Sequence, residues 1–284
     1  MSINEAVLYV VATPIGNLAD MSPRALQVLS SVNVIAAEDT RHSARLLRHY
    51  GIKTPCLALH EHNERGAATG LVERLLSGQS IALITDAGTP LISDPGYHLV
   101  SAARTAGIKV SPIAGPCALI TALSASGLPS DRFVFEGFLP VRPHARRTRL
   151  EELQTETRTL IFYEAPHRIL ECIKDLAEVL GKERQAVVAR ELSKLFETVH
   201  GDSLAGLHDW LCADPDQQKG EFVIVVRGSI LEDHTGFSSE AERIVRILMV
   251  ELPLKQAAAL AAQITGLKKN ALYDFALRQK PAHD

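Results

Sequence analysis

Cysteine is scarce and scattered in this chain. Cys56, Cys117, Cys172 and Cys212 show no paired spacing, which argues against a zinc site or a disulfide framework. An excess of basic charge is also lacking. Lysine and arginine number 30 against 33 acidic residues, a formal charge of −3, which argues against a globally basic nucleic-acid binder but leaves local charge free to select a partner. No positive run precedes the first apolar segment, Ala6 to Ala12, and that segment is too short for a signal-peptide core or a membrane span. A cytoplasmic protein with no membrane partner is expected. With 46% hydrophobic and 22% charged residues, the 284-residue chain has the profile of a folded protein with room for two domains.

The chain is organised around Ser80 to Val100. Residues 81–84 form a short apolar run, expected to be a strand buried on both faces, and the next helical pattern begins only after Gly96. Gly88 and Gly96 permit unusual backbone angles, whereas Pro90 and Pro95 stiffen the segment. Strand–helix connections usually take roughly 2–6 residues, and this one is longer. A long, stiff loop at the carboxyl end of a buried strand is where open α/β sheets hold ligands.

Strands are predicted at Val7–Ala12, Val32–Ala36, near Leu57 and at Val110–Ile113, with helices between them. This order implies a parallel sheet. Ser22-Pro23 reads as a helix start, with Ser as cap and Pro at the first helical position. The helix after Thr40 carries Arg41, Arg45 and Arg48 on a basic face. His60-Glu61-His62 contains metal-ligating residue types but lacks the usual ligand spacing, so a polar loop and no metal are expected. Ala114-Gly115-Pro116-Cys117-Ala118 is a second strand-to-helix turn of small residues.

Beyond Gly127 the pattern resets. Strands at 133–138, 159–163, 186–189 and 222–226 suggest a second α/β domain with some antiparallel pairing. Residues 141–149 hold four arginines and no acid, either a solvated face or an arm for phosphates. A polar linker from Gly228 to Ser239 precedes three helical patterns. The last two are joined by Thr265-Gly266-Leu267-Lys268-Lys269, which has helix-turn-helix spacing or marks a plain helical hairpin. The expected domains are 1–127, 128–230 and 239–284.

Several segments in one order carry a resemblance: Ala12-Thr13-Pro14-Ile15-Gly16-Asn17-Leu18, Glu38-Asp39-Thr40-Arg41-His42, Thr85 to Gly96, Gly115-Pro116-Cys117, Glu136-Gly137-Phe138-Leu139-Pro140, Phe162-Tyr163-Glu164-Ala165-Pro166-His167-Arg168 and Ala189-Arg190-Glu191-Leu192. Over nearly its whole length the chain resembles the ribosomal RNA small subunit methyltransferase I group of the tetrapyrrole methylase superfamily. The resemblance implies two α/β domains of the tetrapyrrole methylase type with S-adenosylmethionine in the cleft between them, and a C-terminal helical module. It also implies 2′-O-methylation of a cytidine ribose in the decoding region of small-subunit ribosomal RNA, and makes a homodimer plausible.

By the same resemblance, Pro14, Gly88, Thr89, Pro90, Ile92, Cys117, Ala118 and Tyr163 are expected at the cofactor. Thr89 stands where the superfamily's Gly-Asp-Pro loop has an acid, which puts in doubt any contact made by that carboxylate. A ribose hydroxyl needs a proton acceptor, and Asp86 or Asp39 is the candidate, with Arg41 and Arg168 on the adjacent phosphates. Arg142, Arg146, Arg147, Lys268 and Lys269 are the other candidate RNA contacts. The competing view of the charged residues is that they form loop-ordering ion pairs or caps. A tetrapyrrole-type small-molecule methylase would share the cleft but have no use for the arginine segment or the helical module. A non-catalytic nucleic-acid-binding regulator would use the module without the cofactor.

Overall fold

The structure, a computed structural model, describes residues 6–230 and 239–278. It forms two compact units, Met1–Ser229 and Ile230–Asp284.

The first unit begins with β1 (Val7–Val11), α1 (Pro23–Ser31), β2 (Val34–Ala37), α2 (Thr40–His49), β3 (Cys56–Ala58), α3 (Glu64–Leu76), β4 (Ile81–Ile84), α4 (Tyr97–Thr105), β5 (Lys109–Ile113) and α5 (Ala118–Ser126). The strands pair in parallel in the order β3-β2-β4-β1-β5. Parallel sheets are covered on both faces, and β4 shows why its sequence is uninterruptedly apolar. Ile81 and Leu83 enter a core with Leu71, Leu75 and Leu99. Ala82 and Ile84 enter the opposite one with Ala25 and Leu29. As expected, α1 starts at Pro23, with the Ser22 hydroxyl accepting from the Ala25 N–H at 3.1 Å.

The chain continues with β6 (Phe133–Phe138), α6 (Pro143–Glu152), β7 (Thr159–Glu164), α7 (Ile169–Leu180), β8 (Gln185–Arg190), β9 (Thr198–Ser203), α8 (Leu204–Ala213) and β10 (Phe222–Val226). The order is β6-β7-β10-β8-β9, with β6 and β7 parallel and the other pairs antiparallel. Most of the arginine segment lies in a helix, α6. The polar composition of Thr198–Ser203 hid β9, an edge strand paired on one side only.

Alternation along β7 and β10 decides how the halves meet. Leu160, Phe162, Phe222, Ile224 and Val226 face α7 and α8. Ile161, Val223 and Val225 instead pack with Leu119, Ala122 and Leu123 of α5. Thus α5 follows a strand of the first sheet yet covers the second, and both α/β halves lie within one compact unit.

The second unit contains α9 (Ser239–Glu251), α10 (Leu254–Thr265) and α11 (Lys269–Arg278). Val245, Ala258, Ala261, Leu272, Phe275 and Ala276 form its core. Gly266 ends α10 with φ 72°, a left-handed cap suited to glycine. Most of the expected linker, residues 231–238, lies outside the described residues.

Candidate active site

The order β4-β1-β5 sets three loops side by side at the carboxyl ends of the strands. Thr13 and Gly88 exchange backbone hydrogen bonds of 2.9 and 3.1 Å, joining the loops after β1 and β4. The Thr89 hydroxyl donates to the Pro116 carbonyl at 2.9 Å, tying in the loop after β5. Glu64 Oε1 of α3 accepts from the N–H groups of Gly96 and His98, at 3.0 and 2.7 Å, and so caps α4 where the long loop ends. Within that loop Leu91 and Ser93 have φ of 74° and 66°. Non-glycine residues in this region are strained by about 1–3 kcal/mol each, and here they flank Ile92 on the wall of a cavity.

The cavity, of about 360 Å³, lies between the loops of the first sheet and residues of β6, β7, β8 and β10 in the second. Gly88, Thr89, Ile92, Cys117 and Ala118 line it from one side, and Phe138, Tyr163, Leu192 and Val223 from the other. The Tyr163 hydroxyl accepts from the Leu119 N–H at 3.2 Å, and the rings of Phe135 and Phe138 meet the tyrosine edge-on. Burial raises the pKa of the phenol, which stays protonated.

The polar atoms fit S-adenosylmethionine. Asp94 and Glu221 bring carboxylates to a cavity lined largely by apolar groups, whereas the Glu164 side chain is fully enclosed beside Arg168 and Cys172. Apolar walls with acidic groups suit a flat heterocycle that carries a sulfonium and an ammonium.

Acidic residues gather behind the cavity because β2 and β4 are neighbours. Glu38 Oε2 accepts from the Thr85 hydroxyl at 2.6 Å, and Asp86 Oδ1 accepts from the Asp39 N–H at 3.3 Å. Burial, and then the charge of Glu38, raises the pKa of Asp86 and pushes that of Asp94 up to about 6. Asp39 differs. Its carboxylate caps α2 through the Arg41 N–H at 2.8 Å and pairs with the Arg41 guanidinium at 3.0 Å. The side-chain and backbone hydrogen bonds from Arg41 lower its pKa to about 2. Asp39 and Arg41 are thus engaged with each other in a cap.

A second cavity, of about 450 Å³, shares Ile15, Ala87 and Glu221 with the first. It is lined by Pro14, Asp86 and Lys194, and by His42, Arg45 and His49 of α2. Of the residues expected at the cofactor, Gly88, Thr89, Ile92, Cys117, Ala118 and Tyr163 line the first cavity. Pro14 lines the second, and Pro90, a buried residue of the long loop, lines neither.

The structure corrects the expected RNA contacts of α6. Arg146 is 2% exposed, with Nε 2.6 Å from Asp175. Arg147 pairs with Asp175 and Glu178, and Arg149 with Glu136 and Glu152. The acids missing from the local sequence come from β6, α7 and the last turn of α6. Arg168 is also turned inward. It donates to the carbonyls of Leu139 and Pro140, at 2.7 and 3.2 Å, and lies 3.3 Å from Glu164 as an ion pair without hydrogen-bond geometry. Arg142, Lys268 and Lys269 are exposed.

Sequence reasoning missed Asp94, Phe138, Glu164, Leu192 and Val223 at the first cavity. All but Val223 lay within the segments that carry the resemblance. Nothing local distinguished their inward-facing side chains from structural ones.

Comparison with known proteins places this architecture. Residues 7–207 match the model for tetrapyrrole (corrin/porphyrin) methylases, and the chain belongs to that family. Residues 235–280 match the model described as the RsmI C-terminal HTH domain. The chain is 58% identical to ribosomal RNA small subunit methyltransferase I of Pseudomonas aeruginosa, over 98% of this chain and 99% of that one. It is also 58% identical to the protein of the same name from Vibrio cholerae, over 95% and 94%. The crystal structure of uroporphyrin-III-C-methyltransferase from Thermus thermophilus shares the fold, with TM-score 0.55, 19% identity, and coverage of 78% of this chain and 94% of that one.

Proposed function

We propose that this chain transfers a methyl group from S-adenosylmethionine to the ribose 2′-hydroxyl of a cytidine in the decoding region of small-subunit ribosomal RNA, in the cytoplasm. One observation carries the reading. A cavity whose walls suit the cofactor adjoins, across Ile15, Ala87 and Glu221, a second cavity that holds both a carboxylate and basic side chains. The name shared by the Pseudomonas and Vibrio relatives supports ribosomal RNA as the substrate.

S-adenosylmethionine, when bound, supplies a methyl group activated by its sulfonium. The protein's contribution is largely positional. Holding reacting groups in line can be worth about 7–11 kcal/mol, and the loops that would do this are joined by the Thr13–Gly88 and Thr89–Pro116 hydrogen bonds. Asp86 is the proton acceptor in this reading. Its Oδ1 is oriented by the Asp39 N–H, leaving the other oxygen for the hydroxyl, while Asp39 itself is occupied by Arg41. Arg142, and Lys268 and Lys269 of the C-terminal unit, supply phosphate contacts in this reading.

Labelled S-adenosylmethionine and small subunits from cells lacking the protein test the reaction. Label on one ribose 2′-oxygen is expected. Cofactor binding without labelled RNA would instead favour a small-molecule methylase. The Asp86→Asn variant is expected to bind the cofactor normally and to lose about 100-fold or more in rate. An unchanged rate would remove Asp86 as the base.

A further inference from the structure

The second cavity brings a carboxylate together with a basic helix face. Asp86 is the carboxylate near the wall shared with the cofactor cavity. His42, Arg45 and His49 enter from α2 at positions i, i+3 and i+7, which lie on one helical face. Glu221 is the other acid of the lining, and its charge is matched by Lys194 Nζ at 2.7 Å.

Arg45 stands out by elimination. Arg41, Arg146, Arg147, Arg149 and Arg168 are all held by carboxylates or backbone carbonyls. Arg45 is exposed and, among the described residues, makes no ion pair or side-chain hydrogen bond, yet it lines a cavity. An unpaired surface arginine is ordinarily just solvated. Here the arginine, which carries a planar set of donors, lines a concavity of about 450 Å³, large enough for a nucleotide, together with two histidines.

The chemistry of RNA then constrains what fits. The 2′-hydroxyl and the 3′-phosphodiester of one nucleotide are borne on adjacent ribose carbons. A proton acceptor for the first and a cation for the second must therefore share one cavity, as Asp86 and Arg45 do. We propose that the His42–Arg45–His49 face of α2 seats the phosphodiester of the target nucleotide, with Arg45 as its principal contact. This inference rests on the ribose-methylation reading and names the substrate group that the site holds. Arg45 is a positioning residue, and base identity is not read by it.

The test compares Arg45→Ala, Arg45→Lys and Arg48→Ala. Arg48 is an exposed arginine of the same helix that does not line the cavity. Small-subunit binding and methylation are measured across a salt series, and cofactor affinity by calorimetry. For Arg45→Ala, the slope of log K for RNA against log salt is expected to fall by about one. KM for the subunit should rise while cofactor affinity stays unchanged. Arg45→Lys should regain part of the loss, and Arg48→Ala should behave nearly as wild type. Equal effects at positions 45 and 48 would reduce the face to a diffuse electrostatic contribution and overturn the proposal. Unchanged RNA binding by Arg45→Ala would do the same. If the wild-type protein binds subunits but methylates none, the ribose-methylation reading fails, and the binding data still judge the phosphate seat.

Discussion

The Tyr163 hydroxyl, at the end of β7 in the second sheet, accepts a hydrogen bond from the Leu119 N–H in the first turn of α5, 3.2 Å away. This bond joins the two halves of the first unit at the wall of the cofactor-sized cavity. Tyr163→Phe keeps the ring packing against Phe135 and Phe138 but leaves that N–H without its partner. A loss of about 1 kcal/mol in stability is expected from urea unfolding. Calorimetry should show a larger proportional loss in S-adenosylmethionine affinity, because the cavity wall shifts with α5.

Asp94 should report on the pH dependence of the fold. Its pKa is raised to about 6 from an ordinary 3.8, first by burial and then by Glu38, so the folded state disfavours its ionised form. The stability associated with the protonated carboxyl is complete below pH 3.8 and is lost as pH rises through about 6. Asp94→Asn is therefore expected to melt higher than wild type at pH 7.5. The difference should close towards pH 4 in a thermal-unfolding series.

Arg146 is a structural residue, and its removal should be felt in folding. Taking away the guanidinium strands Asp175, itself 4% exposed, without its closest partner. Breaking a buried pair from one side costs about 3–5 kcal/mol. Arg146→Ala should lose about that much in denaturant titrations, whereas Arg142→Ala, on the exposed cap of the same helix, should lose almost none.

Gly96 has φ 128°, and a β-carbon there would lie 2.6 Å from Leu83 Cδ2 in the core beneath the loop. Gly96→Ala combines a strained backbone with this overlap. Lower thermal stability and weaker cofactor binding are expected together, because the loop carrying Ile92 and Asp94 is anchored at this residue.

By itself the sequence determined the alternation of strands and helices in the first sheet, the both-face burial of β4 and the position of the ligand loop. These follow from local periodicity, capping and glycine placement, which act between neighbours in the chain. It also carried the motifs of the tetrapyrrole methylase family, whose members share this architecture. Tertiary structure decided which charges are free. Arg146 finds its acid on a helix some thirty positions on, so a run that read as either a solvated face or an arm for phosphates became a helix with a buried ion pair. The cluster of Glu38, Asp86 and Asp94 exists because β2 and β4 are neighbours in the sheet. Likewise, α5 crosses to the second sheet because the alternate residues of β7 and β10 offer it an apolar face. Charge pairing and sheet packing join residues far apart in the chain, and no local pattern records which partner each will meet.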